Sequence, residues 1–441
     1  MSAAPPSGPL GRSASRAASS IWKAIAAHGP RMSHPATSAM LVVMIVAGIV
    51  LRVQNVGYPL HYCFDEDQFV GAAQQFLTGV PANAECCHPP LAKLLIGVGM
   101  LVLGNDPLGW RFMVVCFGVQ SIVLAFLIGR SLFDDRRAGW LAAAFMAADG
   151  FFLSYSRLAF SEGFLTSLAL WSILAAVTAR GWAGVLVSAV LAGLSGSVKW
   201  SGMQVVLPSC FAVLMLRRAP WYSIAAFVVV PFVHLGVWML GLALSGQPHG
   251  PLAVWHVMRE RANLHLGFPH GANSAESAWY SWLVLWHPLI VKEARDGAFI
   301  RIASTVGNPV LWIAADVTLL ALFAAGGAAV FSRRWRERWR AWFDSTFTRA
   351  VAILVVGWIS MSLLWFSRRI VTYWYHYLGS WGFAILLLGG VVARFERRYP
   401  KRVLVFVALV LAMFIYFAPV WAELPISSAA AHRRLIFPGW W

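Results

Sequence analysis

Residues 37–56 read TSAMLVVMIVAGIVLRVQNV, and residues 57–67 continue as GYPLHYCFDED. The first stretch is long and apolar enough to cross a hydrocarbon core as one helix. Three consecutive acids, Asp65, Glu66 and Asp67, stand just past its end. Further apolar runs follow at about 108–129, 138–154, 163–179, 183–199, 203–216, 220–244, 307–331, 350–367, 376–393 and 403–421. That predicts about eleven transmembrane helices. The runs at 138–154, 183–199 and 203–216 are at or below the usual minimum length.

Composition agrees with this reading. Of 441 residues, 59% are apolar and only 12% are charged, about half the charged share of a soluble domain. A disordered chain, a collagen-like chain and an ordinary water-soluble enzyme are excluded. Five cysteines are too few for a disulfide-built scaffold. The expected class is an all-α polytopic membrane protein.

Charge gives an orientation. The segments 1–36, 130–137, 180, 217–218, 333–349 and 394–402 fall on one side if the spans alternate. They hold 21 of the 35 Lys and Arg but only five of the 18 acids. Excess Lys and Arg marks the cytoplasmic side. The expected layout is a cytoplasmic basic tail over 1–36, a membrane domain over 37–421 and an extracytoplasmic tail over 422–441. The net charge of +17 is then a topology signal, and nucleic acid is not an expected partner: the Trp-rich run Arg333–Arg340 is a short loop between spans. Two extracytoplasmic loops are long, 57–107 and 245–306, and long loops in compact architectures tend to carry function.

The first long loop bears the chemistry. A carboxylate near hydrocarbon is costly unless a cation or hydrogen bond compensates it. Asp65 and Glu66 therefore read either as a general base with an orienting partner or as acids solvated on the outer face. Downstream, Cys86-Cys87-His88-Pro89-Pro90-Leu91-Ala92-Lys93 reads as a turn into an interfacial helix, because Pro-Pro disfavours α geometry before it.

Taken together, Arg52, Pro59, Phe64-Asp65-Glu66, Phe69 and His88-Pro89-Pro90-Leu91-Ala92-Lys93 resemble the protein O-mannosyltransferases. These are integral-membrane glycosyltransferases of the GT-C type that use a polyprenyl-phosphate sugar donor. The likeness extends along most of the chain. It includes Arg111 in Gly109-Trp-Arg-Phe, Asp149, and Ser156-Arg157-Leu158 with Glu162. It continues through Gly193-Leu-Ser-Gly-Ser-Val-Lys199-Trp200-Ser-Gly202, Ser277-Ala-Trp279-Tyr-Ser-Trp282, Gly307-Asn308-Pro309 with Trp312, and Tyr375-His376-Tyr377. The sequence also departs from the family pattern. Cys86 stands where an Asp usually precedes His-Pro-Pro, Glu162 where Asp is usual, and Leu283 where Pro follows the second Trp. The loop 245–306 has no room for the MIR modules of eukaryotic members, so the resemblance is to a bacterial type.

The resemblance implies the following chemistry. Mannose moves from a polyprenyl-phosphate carrier to Ser or Thr hydroxyls of exported proteins, at the extracytoplasmic face of the plasma membrane. Asp65 is the expected base, and Glu66 is expected to shape the site by pairing with a nearby Arg or backbone N–H. Arg111, Arg157, Lys199, His376 and Arg52 are expected around the donor phosphate, because Arg forks and Lys point charges suit it. Arg368 and Arg369 are further candidates, with snorkelling to the interface as their alternative. His88, Lys93, Trp279, Trp282 and Asn308 are expected near sugar or acceptor. A single displacement with inversion needs no covalent intermediate.

No cofactor is required by this chemistry. A divalent metal held by Asp65, Glu66, Asp67 and His88 is the alternative way to grip the phosphate. His256, His265, His270 and His287 in the second long loop have no usual zinc spacing and read as solvated histidines among interfacial aromatics. A disulfide from Cys63 to Cys86 or Cys87 is an option outside the cytoplasm, while Cys116 and Cys210 read as packing residues. Asp316, inside a span, reads as structural. Other readings are a GT-C enzyme moving another lipid-linked sugar to a lipid or glycan, and a transporter. Against a transporter, there is no inverted repeat and no pair of broken mid-membrane helices. Contact with the export translocon is an expectation drawn from the exported acceptors.

Overall fold

The computed structural model describes residues 29–80, 87–267, 270–271, 275–367 and 371–440. Most of the basic tail, Cys86, Arg368 and Arg369 therefore lie outside the described residues. The chain is mostly helical. Among the described residues, eight helices are long and apolar enough to cross a membrane, and three shorter apolar helices accompany them.

In chain order, α1 spans Pro35–Val53, and the first long loop folds into α2 (Glu66–Thr78) and α3 (Leu91–Leu103). Then come α4 (Pro107–Phe133), α5 (Arg136–Ala147), α6 (Gly150–Tyr155), α7 (Ser161–Thr178), α8 (Trp182–Val198) and α9 (Val206–Leu216). Next are α10 (Val229–Leu244) and, in the second long loop, α11 (Pro251–Gly267), α12 (Trp279–Trp282), β1 (Ile290–Asp296) and β2 (Phe299–Ser304). The chain closes with α13 (Pro309–Phe331), α14 (Arg333–Trp342), α15 (Ser345–Ser362), α16 (Leu378–Glu396), α17 (Pro400–Trp421), β3 (Ile426–Ser427) and α18 (Ser428–His432).

Of the three shorter apolar helices, α3 belongs to the first long loop, and the other two fall on short apolar runs. The run at 138–154 is split into α5 and α6, because Asp149 leaves helical geometry and its carboxylate caps α6 by accepting from Phe152 N–H at 3.2 Å. A buried acid at a helix N-cap satisfies an otherwise orphan amide. The runs at 183–199 and 203–216 become α8 and a 3-10 segment continuing into α9.

α16 forms the centre, with 89% of its apolar window buried, against 17% for α13 at the periphery. It packs on α5, α7 and α15, while α4 packs on α5 and α7. Trp312, Trp374 and Trp381 stack in the core between α13 and α16, with Trp312 and Trp381 ring centres 3.9 Å apart. Where α1 crosses α5, a Cβ on Gly48 would lie 2.6 Å from the Ala147 carbonyl, so only glycine permits that approach. Arg52, one turn later, donates to the Gly48 and Ala147 carbonyls at 2.9 and 3.1 Å and to Met146 at 3.0 Å.

The sequence periodicity did not anticipate the small sheet. Its order is β1-β2-β3, all antiparallel. It carries residues of the second long loop to the segment after α17, against the end of the bundle that bears Asp65 and Glu66.

Candidate active site

The site grows from the turn between α1 and α2. Phe64 adopts a left-handed backbone with φ 52°, an uncommon geometry for a bulky residue that tends to mark functional turns. Its ring packs edge-on against Phe160 and Tyr375, with centroids 5.4 and 5.9 Å away. Asp65 follows as the N-cap residue of α2, but its carboxylate does not cap the helix amides. It is half-buried and lies within electrostatic range of the buried Tyr155 and Tyr375. Asp67, on the other side of the turn, is exposed.

Glu66 is fully buried. Its Oε1 accepts from Arg111 Nε at 2.8 Å and from Ala159 N–H at 2.9 Å. Its Oε2 accepts from an Arg111 terminal nitrogen at 2.7 Å and from Cys63 N–H at 3.0 Å. Arg111 gives its remaining donors to the carbonyls of Val56, Pro59 and His61, each at 3.1 Å. All five guanidinium N–H groups are thereby engaged. Burial alone pushes the Glu66 carboxyl up. The Arg111 hydrogen bonds and charge, aided by Lys292 and Ala159 N–H, outweigh it and hold the group below the usual carboxylate range. One side chain thus ties the start of α4 to the turn that presents Asp65.

A second buried cluster adjoins this one. Arg157 donates to the carbonyls of Gln54 and Arg52 at 2.7 and 3.3 Å and to Glu423 at 3.4 Å. Lys292, on β1, reaches Glu423 at 3.2 Å and the Arg157 carbonyl at 2.8 Å. Burial lowers the pKa of both Arg157 and Lys292, against the opposing charge of Glu423. Lys292 and Glu423 were not singled out from the sequence. The only signal for Lys292 is a Lys at an inward-facing position of an alternating strand. Glu423 offers just its place two residues past α17.

Lys199 sits against the rings of Phe160 and Tyr375. A Cβ at Gly202 would lie 2.2 Å from the Ser195 carbonyl, so the Gly-rich text allows the 3-10 turn after α8 to fold tightly back beside Lys199. Its ammonium pairs with Glu162 at 2.5 Å and lies 4.7 Å from the centre of the Tyr375 ring. Asp65 and Lys199 therefore both lie in the neighbourhood of the same tyrosine. His376 stacks face to face on Trp365 with centroids 3.8 Å apart, and its Nδ1 accepts from Tyr373 N–H at 3.1 Å. That bond leaves the proton of a neutral ring on Nε2. His376 lies within electrostatic range of Lys199, His88 and His265. His88 stacks on His265 at 4.9 Å, and Lys93 donates to the His88 carbonyl at 2.7 Å. His265, on α11, donates to the Cys87 carbonyl at 3.1 Å. Lys199, His376, His88, His265 and Lys93 thus gather on one side.

Other expected site residues are engaged elsewhere. Arg52 serves the α1–α5 crossing described above. Asn308 is buried, accepts from Val310 N–H, and donates to the Ala148 and Val410 carbonyls and to Asp149. Trp282 is buried, with its indole on Ser277 at 2.9 Å and its carbonyl receiving the Trp312 indole. Trp279 is at the surface, edge-on to Phe366. Cys63 is a buried free thiol, which corrects the Cys63–Cys87 option. Burial pushes the Cys63 thiol up to about 11. No group of three or more His, Cys, Asp and Glu side chains suited to a metal is present among the described residues. The alternative set around Asp65 and His88 is not assembled there, because the Glu66 oxygens are filled by Arg111 and two backbone amides.

Two family models match the chain. Residues 87–242 match dolichyl-phosphate-mannose-protein mannosyltransferase, and residues 253–440 match the C-terminal four-transmembrane region of protein-O-mannosyltransferase. A polyprenol-phosphate-mannose–protein mannosyltransferase of Mycobacterium tuberculosis is 25% identical, over 86% of each chain. Its namesake in Mycolicibacterium smegmatis is 23% identical, over 91% of this chain and 92% of the relative. The fold is similar to a solved protein O-mannosyltransferase complex, Pmt1-Pmt2 of S. cerevisiae bound to the sugar donor. The TM-score is 0.71 at 13% identity, over 93% of both chains. The fold is GT-C, and the chain belongs to the protein O-mannosyltransferase family of membrane glycosyltransferases.

Proposed function

We propose that the chain transfers mannose from a polyprenyl-phosphate-mannose donor to Ser or Thr hydroxyls of exported proteins, with inversion at the anomeric carbon. The observation that carries this reading is the gathering of Asp65 and Lys199 around Tyr375. One group suits an acceptor proton and the other a donor phosphate, beside a cage formed by Phe64, Tyr155, Phe160 and Tyr375.

In the proposed step, the acceptor oxygen forms a bond to the anomeric carbon as its proton passes to Asp65. The bond from that carbon to the phosphate oxygen breaks, and the electron pair leaves with polyprenyl phosphate. Lys199, with His376, His88 and His265, supports the charge gathering on the leaving phosphate. Donors aimed at developing charge in a water-poor site are worth more than in water. Lys93 holds the His88 turn in place. A phosphate monoester held this way needs no strong acid on its side.

Arg111, Arg157 and Arg52 act at one remove in this reading. Their donors are committed to carboxylates and backbone carbonyls, so they pin the segment 51–66 that presents Asp65. Asn308 and Trp282 likewise hold the core beneath His376, and Trp279 remains the candidate for contact with sugar or lipid headgroup.

The sidedness follows from the charge bias. The basic segments lie in the cytoplasm, the Asp65 end faces outward, and acceptors arrive during or after export at the translocon. The test is to supply purified protein with radiolabelled polyprenyl-phosphate-mannose and a Ser/Thr/Pro-rich peptide. The expected result is labelled peptide from which α-mannosidase releases the sugar. A β-linked product, or label passing to lipid or glycan but never to peptide, overturns the reading.

A further inference from the structure

Next to the Asp65 turn, an open cleft of about 450 Å³ lies between two stretches of chain. One wall is His61, Tyr62, Cys63 and Phe64. The other is Ile290, Val291, Lys292 and Glu293, the first half of β1. Its volume falls in the range of ligand-binding clefts. It shares no lining residue with the pocket bordered by His88 and Lys93.

β1 is the outer strand of its sheet. Among the described residues it pairs with β2 alone, and the order β1-β2-β3 leaves its other edge facing the cleft side. An exposed edge presents a row of backbone N–H and C=O groups ready to pair with another extended chain. Two features limit pairing at this edge, a register irregularity between Ile290 and Lys292 and the inward-turned Lys292, which is buried on Glu423 and Arg157; the exposed Glu293 beside them leaves the edge open toward solvent. Through Lys292 the edge is anchored to the charged network that also holds the Asp65 turn. Phe64 lines the cleft, its ring also packs edge-on against Phe160 and Tyr375, and Asp65 comes next in the chain.

We propose that the acceptor polypeptide binds in this cleft as an added strand along the free edge of β1, its hydroxyl side chain turned toward Asp65. This rests on the reading of the chain as a protein mannosyltransferase. Main-chain pairing selects an extended, unfolded segment and leaves most side-chain positions unread. Such an acceptor suits a transferase that serves many proteins. A folded domain has no free strand to offer, so modification would have to precede folding.

The test uses the wild-type protein and varies the peptide. A single-Ser acceptor peptide is first assayed without modification. It is then assayed with each backbone amide N-methylated in turn, which removes one hydrogen-bond donor at a time. The expected result is alternation: methylation at every second residue around the Ser raises KM about 5- to 10-fold per lost bond. Intervening positions should stay near the parent value. Transfer to the parent peptide with a flat methylation profile overturns the added-strand inference and leaves the enzyme assignment standing. No transfer to any hydroxyl peptide overturns the assignment itself. As a second readout, Glu293→Pro, at an exposed position of β1, should raise peptide KM while donor KM stays unchanged. An unchanged peptide KM in that variant counts against the edge.

Discussion

Glu66 and Arg111 meet side-on and fully buried, with Nε on one carboxylate oxygen and a terminal nitrogen on the other, at 2.8 and 2.7 Å. Their pairing lets a turn with a left-handed Phe64 persist at the mouth of a membrane bundle. Breaking one half of such a pair strands the other charge, which costs about 3–5 kcal/mol. Glu66→Gln should therefore lower thermal stability in detergent sharply. The double variant Glu66→Leu with Arg111→Met should recover a good part of that loss, as read by the unfolding midpoint. Equal loss in the single and double variants would show that the carbonyls of Val56, Pro59 and His61 matter more than the carboxylate.

The same pair gives stability an acid limb. Glu66 titrates below its ordinary value of 4.5 in the fold. Its contribution is complete above that value, where both folded and unfolded states are ionised. It fades as pH falls below 4.5 through the depressed folded value, because the unfolded state then binds the proton first. Unfolding midpoints measured from pH 6 down to pH 3 should fall more steeply in wild type than in the Leu/Met double variant. Parallel curves would remove Glu66 as the source.

Lys199 is expected to act on the donor. Lys199→Met alone would strand Glu162, so the informative variant is Lys199→Met with Glu162→Leu. It should retain its melting temperature and raise KM for polyprenyl-phosphate-mannose about 10- to 100-fold, the range for a charge-assisted hydrogen bond. Peptide KM should be unaffected. A change in peptide KM alone would place Lys199 on the acceptor side.

Both Glu66 oxygens already accept two hydrogen bonds each, which leaves that carboxylate little capacity for a metal. Transfer measured after dialysis against EDTA should equal transfer before it. Activity lost to EDTA and restored by a divalent ion would mean that Asp65 meets a ligand set different from the one described.

How much of this was legible in the sequence differs by level. The apolar runs announced a helical membrane bundle because hydrocarbon demands long, self-satisfied segments, and ordered motifs announced the family. The break at Asp149 was hidden because an acid inside an apolar run looks like any buried acid until its capping amide is seen. The small sheet was hidden too: Ile290–Asp296 carries four charged residues and alternates only weakly. The partners of Arg111 and Arg157 lie 45 and 266 residues away. No local pattern shows that these guanidiniums are already spent, whereas Lys199, inside its Gly-rich turn, carries a local signal. Glu423, which binds both Arg157 and Lys292, stands in a stretch with no motif.

The central claim is that Asp65 takes the acceptor proton. The most direct measurement is single-turnover transfer from labelled polyprenyl-phosphate-mannose to peptide by wild type and Asp65→Asn, with melting temperature and donor affinity recorded alongside. The account predicts a rate about 10²- to 10⁴-fold lower in the variant, with unfolding midpoint and donor affinity unchanged. Transfer at the wild-type rate by Asp65→Asn would contradict it.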